Sequence, residues 1–329
     1  MQRQDRLTKP RGSLGRLEEL SIQIAGITAQ PIPRLKHKAI LTMAADHGVT
    51  AQGVSLYPAE VTRQMVLNFL AGGAAINVLS RMIGARVIIV DMGVRVGLPA
   101  IDGITCKMID FGTKDMSTGP AMTREQAMNC LVAGVEIVEQ EIKAGLDILG
   151  TGDMGIGNTT SASAITAVVT GQIVSEITGR GTGIDDAQLA HKIRIIDQSL
   201  TVNKPDPADA IDILAKVGGF EIGGLAGAML AAAANHVPVV IDGFISGAAA
   251  LLAARICPEA RDYMIASHLS AEKGHAACLR HLGLEPLLKL NLRLGEGTGS
   301  ALGIFLAESS VNLLREMATF SEAGVSDIQ

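Results

Sequence analysis

The sequence contains few aromatic residues and few charged ones. Of its 329 residues none is tryptophan, two are tyrosine and six are phenylalanine, so aliphatic side chains have to fill the interior. Hydrophobic residues make up 48% of the chain and charged residues 19%, which is typical of a protein with a large buried core. A net charge of -5 and the absence of any Lys/Arg run argue against a nucleic-acid partner.

The chain also lacks long apolar runs, paired cysteines and metal-binding motifs. Its apolar stretches are interrupted, and none approaches the ~20 residues that a membrane span requires. The polar N-terminus carries no apolar segment of a signal peptide. Neither His-x-x-x-His nor His-Glu-x-x-His occurs, so no metal site is predicted. Without any Cys-x-x-Cys pair, the cysteines are predicted to be reduced, buried small hydrophobes of a cytoplasmic protein that contacts no membrane: Cys106, Cys130, Cys257 and Cys278.

Five short apolar runs predict the strands of a parallel sheet. Helical stretches separate them, which implies crossover connections and an α/β fold. Four of the runs end in Asp or His with glycine close by, and open α/β sheets bind their ligands at that edge. The predicted strands cover residues 38–45, 86–93, 146–152, 237–243 and 263–268.

Helical periodicity is clear near both chain ends. Residues 16–27 place their apolar side chains on one helical face, and a second helix is predicted from Ser310 to Thr319. We expect these helices to pair as a small helical subdomain of residues 1–35 plus about 306–329, beside an α/β catalytic domain of residues 36–305.

The most glycine-dense segment, Gly150–Thr160, joins a predicted strand to a predicted helix. Exposed backbone N–H groups and a helix N-terminus suit a phosphate there. The segment is not a Walker loop, because no lysine follows its last glycine. A loose Gly-x-Gly-x-x-Gly keeps an NAD-dependent oxidoreductase open, although no ribose-binding acid follows about 20 residues later. A tight turn without a ligand is the third interpretation of this segment. Residues 216–227 are similarly rich in glycine, and close packing of a helix against the sheet is the alternative explanation there.

Three further segments combine glycine with polar or charged groups. Gly179–Gly183 is typical of an anion-binding turn, with Lys192 available on the following helix. Ser267–Gly274 offers hydroxyl, imidazole, carboxylate and ammonium groups. Neighbouring Ser and His side chains rarely reach each other, which disfavours a nucleophilic serine and favours phosphate or ribose contacts from Ser270. Residues 46–48 (Asp-His-Gly) fit either a general base or a structural pair.

A single acid, Glu296, lies between two glycines in the segment Arg-Leu-Gly-Glu-Gly-Thr-Gly, residues 293–299. Glycines on both sides remove local side-chain cover, so the carboxylate can approach a ligand while the backbone bends tightly. A solvated loop glutamate would not require this arrangement. Glu296 is therefore the candidate catalytic residue.

Seven segments have the order and composition of one known family. They resemble nicotinate-nucleotide–dimethylbenzimidazole phosphoribosyltransferase, which activates the lower ligand of cobalamin. The likeness covers nearly the whole chain, and the segments are residues 7–18 (LTKPRGSLGRLE), 45–49 (ADHGV), 152–160 (GDMGIGNTT), 216–221 (KVGGFE), 242–246 (DGFIS), 267–274 (SHLSAEKG) and 293–299 (RLGEGTG).

The resemblance implies a Rossmann-like parallel sheet flanked by helices, a homodimer, and transfer of the phosphoribosyl group of nicotinate mononucleotide to a nitrogenous base. The pyridinium is already an activated leaving group, so no metal or cofactor is expected. Glu296 would be the general base, a role worth ~10²–10⁴-fold in rate. Carried over by position, the family's phosphate and nucleotide contacts are Gly155, Asn158, Thr159, Gly181, Lys192 and Ser270, and its nicotinate and base contacts are Leu294 and Gly295.

The sequence departs from the family pattern at several points. Asp153 stands where members often carry a second catalytic glutamate, and it is one methylene shorter. Tyr57 and Met65 would make the wall of the base pocket more apolar than in some relatives. This opens the choice of acceptor to 5,6-dimethylbenzimidazole, another benzimidazole, a purine or a phenol. The chain begins close to its first motif, so a short leading helix is expected to be missing. The alternative function is a weakly active paralogue that serves as the partner subunit of a heterodimer.

Overall fold

The computed structural model describes residues 3–98 and 101–326, and its centre is a six-stranded parallel sheet. The strands lie in the order β3-β2-β1-β4-β5-β6, and every neighbouring pair is parallel. The predicted α/β class is confirmed, as are the five predicted strands, whereas β3 was not predicted. The bounds are β1 Lys38–Ala45, β2 Arg86–Gly93, β3 Ile104–Cys106, β4 Ile148–Met154, β5 Val239–Ile241 and β6 Met264–Ala266.

Helices connect the strands and cover both faces of the sheet. Side-chain capping boxes begin several of them: Thr123, for example, accepts from the backbone N–H of Gln126 and donates its own N–H to the Gln126 side chain. The helices are α1 Arg16–Ile27, α2 Glu60–Ala71, α3 Ala75–Ile83, α4 Arg124–Lys143, α5 Asn158–Thr170, α6 Val174–Ile177, α7 Asp186–Asn203, α8 Ala210–Val217, α9 Phe220–Ala234, α10 Phe244–Ile256, α11 Lys273–Leu282, α12 Thr298–Glu316 and α13 Phe320–Ala323.

Alternation along β1 shows how the two faces of the sheet are covered. Leu41 and Met43 belong to the larger hydrophobic cluster, which includes α4, α5, α9 and α10. Ile40 and Ala44 point the other way, into a second cluster with α1, α2, α3 and α12. Because neighbouring residues of a strand face opposite sides, a fully buried strand such as β1 serves two cores at once.

The predicted C-terminal helix was placed wrongly. It begins at Thr298, inside the glycine-rich segment, and ends at Glu316, whereas the prediction was Ser310 to Thr319. Ile304 and Val311 pack in the same cluster as Leu20 and Ile24 of α1 and as the strands. The division into a helical subdomain and a catalytic domain stays a prediction, and α12 crosses its proposed boundary at residue 306.

Two predictions about apolar character also needed revision. All four cysteines are free, but only Cys130 and Cys278 are buried, and Cys106 is exposed because β3 lies at the edge of the sheet. The stretch Glu60–Ile83 is long and apolar enough to cross a membrane by length and composition. It is divided into α2 and α3 at Gly72, and its Val66, Phe69 and Ile76 pack in the second core.

Helices α4 and α9 cross so closely that their contact requires glycine, which yields a stability prediction. A methyl group on Gly134 would lie 1.9 Å from the carbonyl oxygen of Gly224. We expect Gly134→Ala to lower the free energy of unfolding by about 1–3 kcal/mol, because the two backbones must separate.

The control is Gly26→Ala in α1, where the added methyl group meets nothing within 4 Å. That change is expected to raise the free energy of unfolding by about 0.5–1 kcal/mol through helix propensity. Urea unfolding monitored by circular dichroism measures both. Equal effects of the two substitutions would contradict the close crossing.

Candidate active site

The candidate site lies at the carboxyl edge of the sheet, beside β1 and β4. The chain turns in opposite directions from this pair of strands, since β2 continues the sheet on one side and β5 on the other. Open α/β folds bind ligands at such a switch point. The glycine-rich loop after β4 and the segment before α12 meet there: the backbone N–H of Glu296 donates to the Asp153 carbonyl oxygen, 3.1 Å away.

The backbone around Glu296 requires its flanking glycines. Gly295, Glu296 and Gly297 have φ angles of 80°, 65° and 101°, a left-handed run that strains any residue with a Cβ. The segment also presses on β4, because a methyl group on Gly152 would lie 2.3 Å from the Glu296 carbonyl oxygen. That oxygen accepts a 2.8 Å hydrogen bond from the Thr42 hydroxyl of β1. The strained bend is therefore fixed from two strands.

The Glu296 carboxyl group is buried, with 4% of the residue exposed. Burial raises its pKa above the ordinary glutamate value, and hydrogen bonds from the backbone N–H groups of Ile76 and Ala75 act in the opposite direction. The Ile76 N–H lies 3.2 Å from Oε2, in the first turn of α3. A carboxylate with a raised pKa, held at a helix N-terminus, is suited to accept a proton from a bound reactant.

Asp242, directly after β5, anchors the start of α12. Its Oδ1 accepts from the backbone N–H groups of Gly299 (2.7 Å) and Ser300 (3.2 Å), and its Oδ2 accepts from Gly297 (3.2 Å). Burial raises the pKa of this carboxyl to about 7, although these hydrogen bonds oppose the shift. The sequence showed only an acid after a strand. Its role depends on a partner that is distant along the chain.

Asp153 ends β4 and faces the glycine segment. Its Oδ2 accepts from the Asn158 amide at 3.0 Å, and a methyl group on Gly295 would lie 3.2 Å from the same oxygen. Complete burial raises its pKa well above the ordinary aspartate value, and the charges of Asp242, Glu221 and Glu296 raise it further. These causes all disfavour the charged form of Asp153. The shorter side chain still reaches the loop that precedes Glu296.

The predicted phosphate residues come together around Lys192. Its Nζ donates to the Thr159 hydroxyl at 2.7 Å, and a methyl group on Gly181 would lie 3.3 Å from the same nitrogen. Burial lowers the pKa of Lys192 to about 8. The charge of Glu272 opposes this shift. A buried ammonium beside a left-handed glycine turn, with a φ of 52° at Gly181, suits an anionic ligand.

Two adjoining cavities lie beside these groups, and both are lined by Asp153, Thr159 and Leu294, although neither is lined by Glu296 or Lys192. One, of about 330 Å³, is lined by Tyr57, Gly155, Asn158, Thr159, Gly181 and Leu294 among others. The other, of about 70 Å³, is lined by Asp153, Asn158, Thr159, Ser270, Leu294 and Gly295 among others. A larger cavity of about 860 Å³ lies between the chain ends at Arg3 and Phe320 and contains none of these residues. Within the described ranges, no group of three or more His, Cys, Asp or Glu side chains could hold a metal.

Two predicted wall residues lie in different places. Tyr57 is on the rim of the 330 Å³ cavity, and 55% of its surface is exposed. Met65 lines neither cavity and packs, half-buried, against the second core. Sequence reasoning also missed Arg293 and Glu272, which line both cavities. Arg293 donates to the Gly181 carbonyl oxygen at 3.1 Å and so joins the segment of Glu296 to the glycine turn at Gly181.

His47 is a structural residue, which resolves one alternative left open by the sequence. Its ring is fully buried, with Nε2 2.7 Å from Glu221 and Nδ1 3.1 Å from the Ser161 hydroxyl. The ring supports two glycine turns, since methyl groups on Gly155 and Gly219 would lie 3.4 Å and 2.4 Å from its atoms. The His47–Glu221 pair therefore gives a structural role to the Asp-His-Gly segment and to residues 216–221.

The expectation that Ser267 and His268 do not reach each other was wrong. Ser267 Oγ lies 2.9 Å from His268 Nδ1, and both residues are buried directly after β6. Ser267 is nevertheless no nucleophile. It is fully buried, and its hydroxyl donates to the Asp242 carbonyl oxygen at 3.2 Å.

Comparison with known proteins agrees with this geometry. A family model described as phosphoribosyltransferase matches residues 1–325. Two enzymes named nicotinate-nucleotide–dimethylbenzimidazole phosphoribosyltransferase are similar to the chain. The one from Desulforudis audaxviator is 58% identical over 99% of this chain and 92% of its own. The one from Roseiflexus sp. is 60% identical over 98% of this chain and 92% of its own.

A solved structure matches equally well. CobT from Thermus thermophilus superposes with a TM-score of 0.96 at 44% identity, covering 99% of this chain and 98% of that one. None of these relatives is named as the partner subunit of a heteromeric enzyme, so that alternative receives no support. The chain belongs to the nicotinate-nucleotide–dimethylbenzimidazole phosphoribosyltransferase family, and it is an enzyme of the pentosyltransferase class.

Proposed function

We propose that this protein transfers the 5-phosphoribosyl group of nicotinate mononucleotide to a lower-ligand base, giving an α-riboside 5′-phosphate and nicotinate. The observation that carries the proposal is that Gly295, the chain neighbour of Glu296, and Thr159, the hydrogen-bond partner of the Lys192 ammonium, line the same cavity. The names of the relatives supply the substrates. The acceptor is 5,6-dimethylbenzimidazole or a related benzimidazole, purine or phenol.

Glu296 acts as the general base of this reaction. A ring nitrogen or hydroxyl oxygen of the acceptor attacks C1′ of the ribosyl group. The acceptor's proton, which a benzimidazole carries on its other ring nitrogen and a phenol on its oxygen, passes to the Glu296 carboxylate. The C1′–N bond to the pyridinium breaks at the same time, and its electron pair neutralises the ring nitrogen of the departing nicotinate. Attack from the opposite face inverts the configuration at C1′. The carboxylate also stabilises positive charge that develops on the ribosyl carbon.

Asp153 and the loop that follows it position the nucleotide. Burial and the neighbouring carboxylates raise the pKa of Asp153, and its Oδ2 holds Asn158 through their hydrogen bond. Lys192, Thr159, Gly155, Gly181 and Ser270 bind the phosphate. Arg293 supplies a second positive charge to the cleft, and nicotinate mononucleotide carries a second anion in its ring carboxylate.

The acceptor enters along Tyr57, Leu294 and Gly295. Tyr57 and Leu294 are 55% and 58% exposed in the free protein, so a flat aromatic acceptor that covers them removes apolar surface from water. The test is incubation of the enzyme with nicotinate mononucleotide and a panel of benzimidazoles, purines and phenols, followed by mass spectrometry. We expect an α-riboside 5′-phosphate with at least one benzimidazole. Release of nicotinate with ribose 5-phosphate as the other product would contradict the proposal.

We further propose that the enzyme is a homodimer of the cytoplasm. Exposed apolar side chains occur on the two adjacent helices α3 and α12, namely Val78, Met82 and Phe305. The free cysteines are compatible with a reducing compartment. Sedimentation equilibrium should give twice the chain mass of 34.2 kDa. A single-chain mass at the concentration of a standard assay would contradict the dimer.

A further inference from the structure

His268 lines the 70 Å³ cavity beside Asp153, and it has no role in the proposed reaction as described above. Its residue surface is 2% exposed, and it belongs to the wall that also contains Asp153, Ser270 and Gly295. Its Nε2 makes no hydrogen bond to any described part of the chain, and it is not sealed away from the cavity. A ring nitrogen in this position is available to a bound molecule.

The protonation of the His268 ring follows from its neighbours. The Ser267 hydroxyl has one proton, and it donates this proton to the Asp242 carbonyl oxygen at 3.2 Å. In the tautomer that satisfies both contacts, Ser267 Oγ accepts from His268 Nδ1–H at 2.9 Å. Burial lowers the pKa of His268, so the ring is neutral at neutral pH. With the proton on Nδ1, Nε2 presents a lone pair and acts as an acceptor.

The ring is also fixed in place between the two halves of the site. A methyl group on Gly299, in the first turn of α12, would lie 2.0 Å from His268 Nδ1. A methyl group on Gly243 would lie 3.8 Å from the ring and 4.0 Å from Ser270 Cβ. His268 therefore stands between Ser270, on the proposed phosphate side, and the start of α12, which directly follows the Glu296 segment. In a nucleoside 5′-phosphate, the sugar lies between the phosphate and the reacting carbon.

We propose that His268 Nε2 accepts a hydrogen bond from a secondary hydroxyl group of the ribosyl ring. The contact makes His268 a specificity residue that selects ribosyl over deoxyribosyl donors, and it rests on the proposed function. The ring cannot rotate to offer Nδ1–H instead, because Ser267 and Gly299 hold that side. A donor without the hydroxyl would leave a desolvated acceptor unpaired.

The test compares kcat/KM for nicotinate mononucleotide with that for its 2′-deoxy and 3′-deoxy analogues. For one analogue, the ratio of kcat/KM for nicotinate mononucleotide to that for the analogue should be about tenfold to 100-fold larger in the natural enzyme than in His268→Leu. This is the range expected for one unpaired buried acceptor. In His268→Leu the ratio for that analogue should fall to about twofold, within the spread of small packing effects. His268→Gln retains an acceptor and should restore part of the ratio.

The matched control is His275→Leu. His275 is buried to the same degree but faces the Ser270 backbone, whose N–H donates to its Nδ1 at 3.0 Å. Its replacement should lower kcat/KM equally for all three donors and leave the ratios unchanged. Less than about threefold discrimination by the natural enzyme against both analogues overturns the contact, and so does an unchanged ratio in His268→Leu. Absence of turnover on nicotinate mononucleotide itself overturns the proposed function as well.

Discussion

Replacing Glu296 with glutamine is expected to lower kcat by about a hundredfold or more, the usual magnitude for loss of a general base. Glutamine has the same shape, so its side-chain oxygen still accepts the 3.2 Å hydrogen bond from Ile76. The backbone bonds from Glu296 to Asp153 and Thr42 are untouched. The fold and the binding of nicotinate mononucleotide should therefore persist. Single-turnover kinetics and calorimetry measure the two effects separately.

The control for this substitution is Glu316→Gln at the far end of α12, the helix that follows Glu296, where the side chain is 68% exposed. It removes an equal charge and should leave kcat unchanged. Near-normal turnover of Glu296→Gln would show that another group accepts the proton.

The pH profile gives an independent view of the same residue. A base must be ionised to act, and the pKa of Glu296 is raised by burial. Activity should therefore be full above that raised pKa and fall as the pH drops through it, in a limb that lies above the ordinary glutamate value of 4.5. Glu296→Gln should remove this acid limb from the residual activity.

Replacing Lys192 with methionine is expected to have the second-largest effect. Methionine fills a similar volume without charge, so KM for nicotinate mononucleotide should rise by about 10- to 100-fold, the range for a lost charge-assisted hydrogen bond. The affinity for the acceptor base should stay unchanged. Steady-state kinetics with each substrate varied in turn measure both.

Stability separates a binding role of Lys192 from a structural one. Burying an ammonium costs free energy, as its pKa of about 8 records. Lys192→Met removes that cost, so the melting temperature should be unchanged or higher while binding is lost. Lys143→Met, at an exposed position of α4, serves as the control and should alter neither quantity. A lower melting temperature together with an unchanged KM would contradict the phosphate role.

Lys192 also predicts the alkaline limb. A lysine whose pKa is lowered is fully charged below that pKa and loses its charge as the pH rises through about 8. kcat/KM for the nucleotide should therefore decline near pH 8. A bound phosphate favours the charged lysine, so kcat should decline only at higher pH. In Lys192→Met, the limb near pH 8 should be absent.

The secondary structure could be predicted where local pattern and burial agree. The apolar runs of β1 and β2 are eight residues long and end in polar groups, so they were recognised with their bounds. Strand β3 has only three residues at an exposed edge, too few for a periodic signal. The start of α12 was missed because Gly297, Gly299 and Gly303 hide its helical tendency. Asp242 and the packing of Ile304 stabilise that end instead.

The sequence by itself determined the α/β class, and it predicted the glycine-rich phosphate loop and Glu296 as the candidate base, since each depends on residues that are neighbours along the chain. Only the tertiary structure decided which groups surround that acid. Asp242 anchors α12, and His47 with Glu221 supports Gly155, so both contacts join residues from different strands and helices. The position of the free His268 Nε2 in the cavity wall also depends on such contacts. Burial, which sets the pKa values of Asp153, Lys192 and Glu296, exists only once those elements have packed.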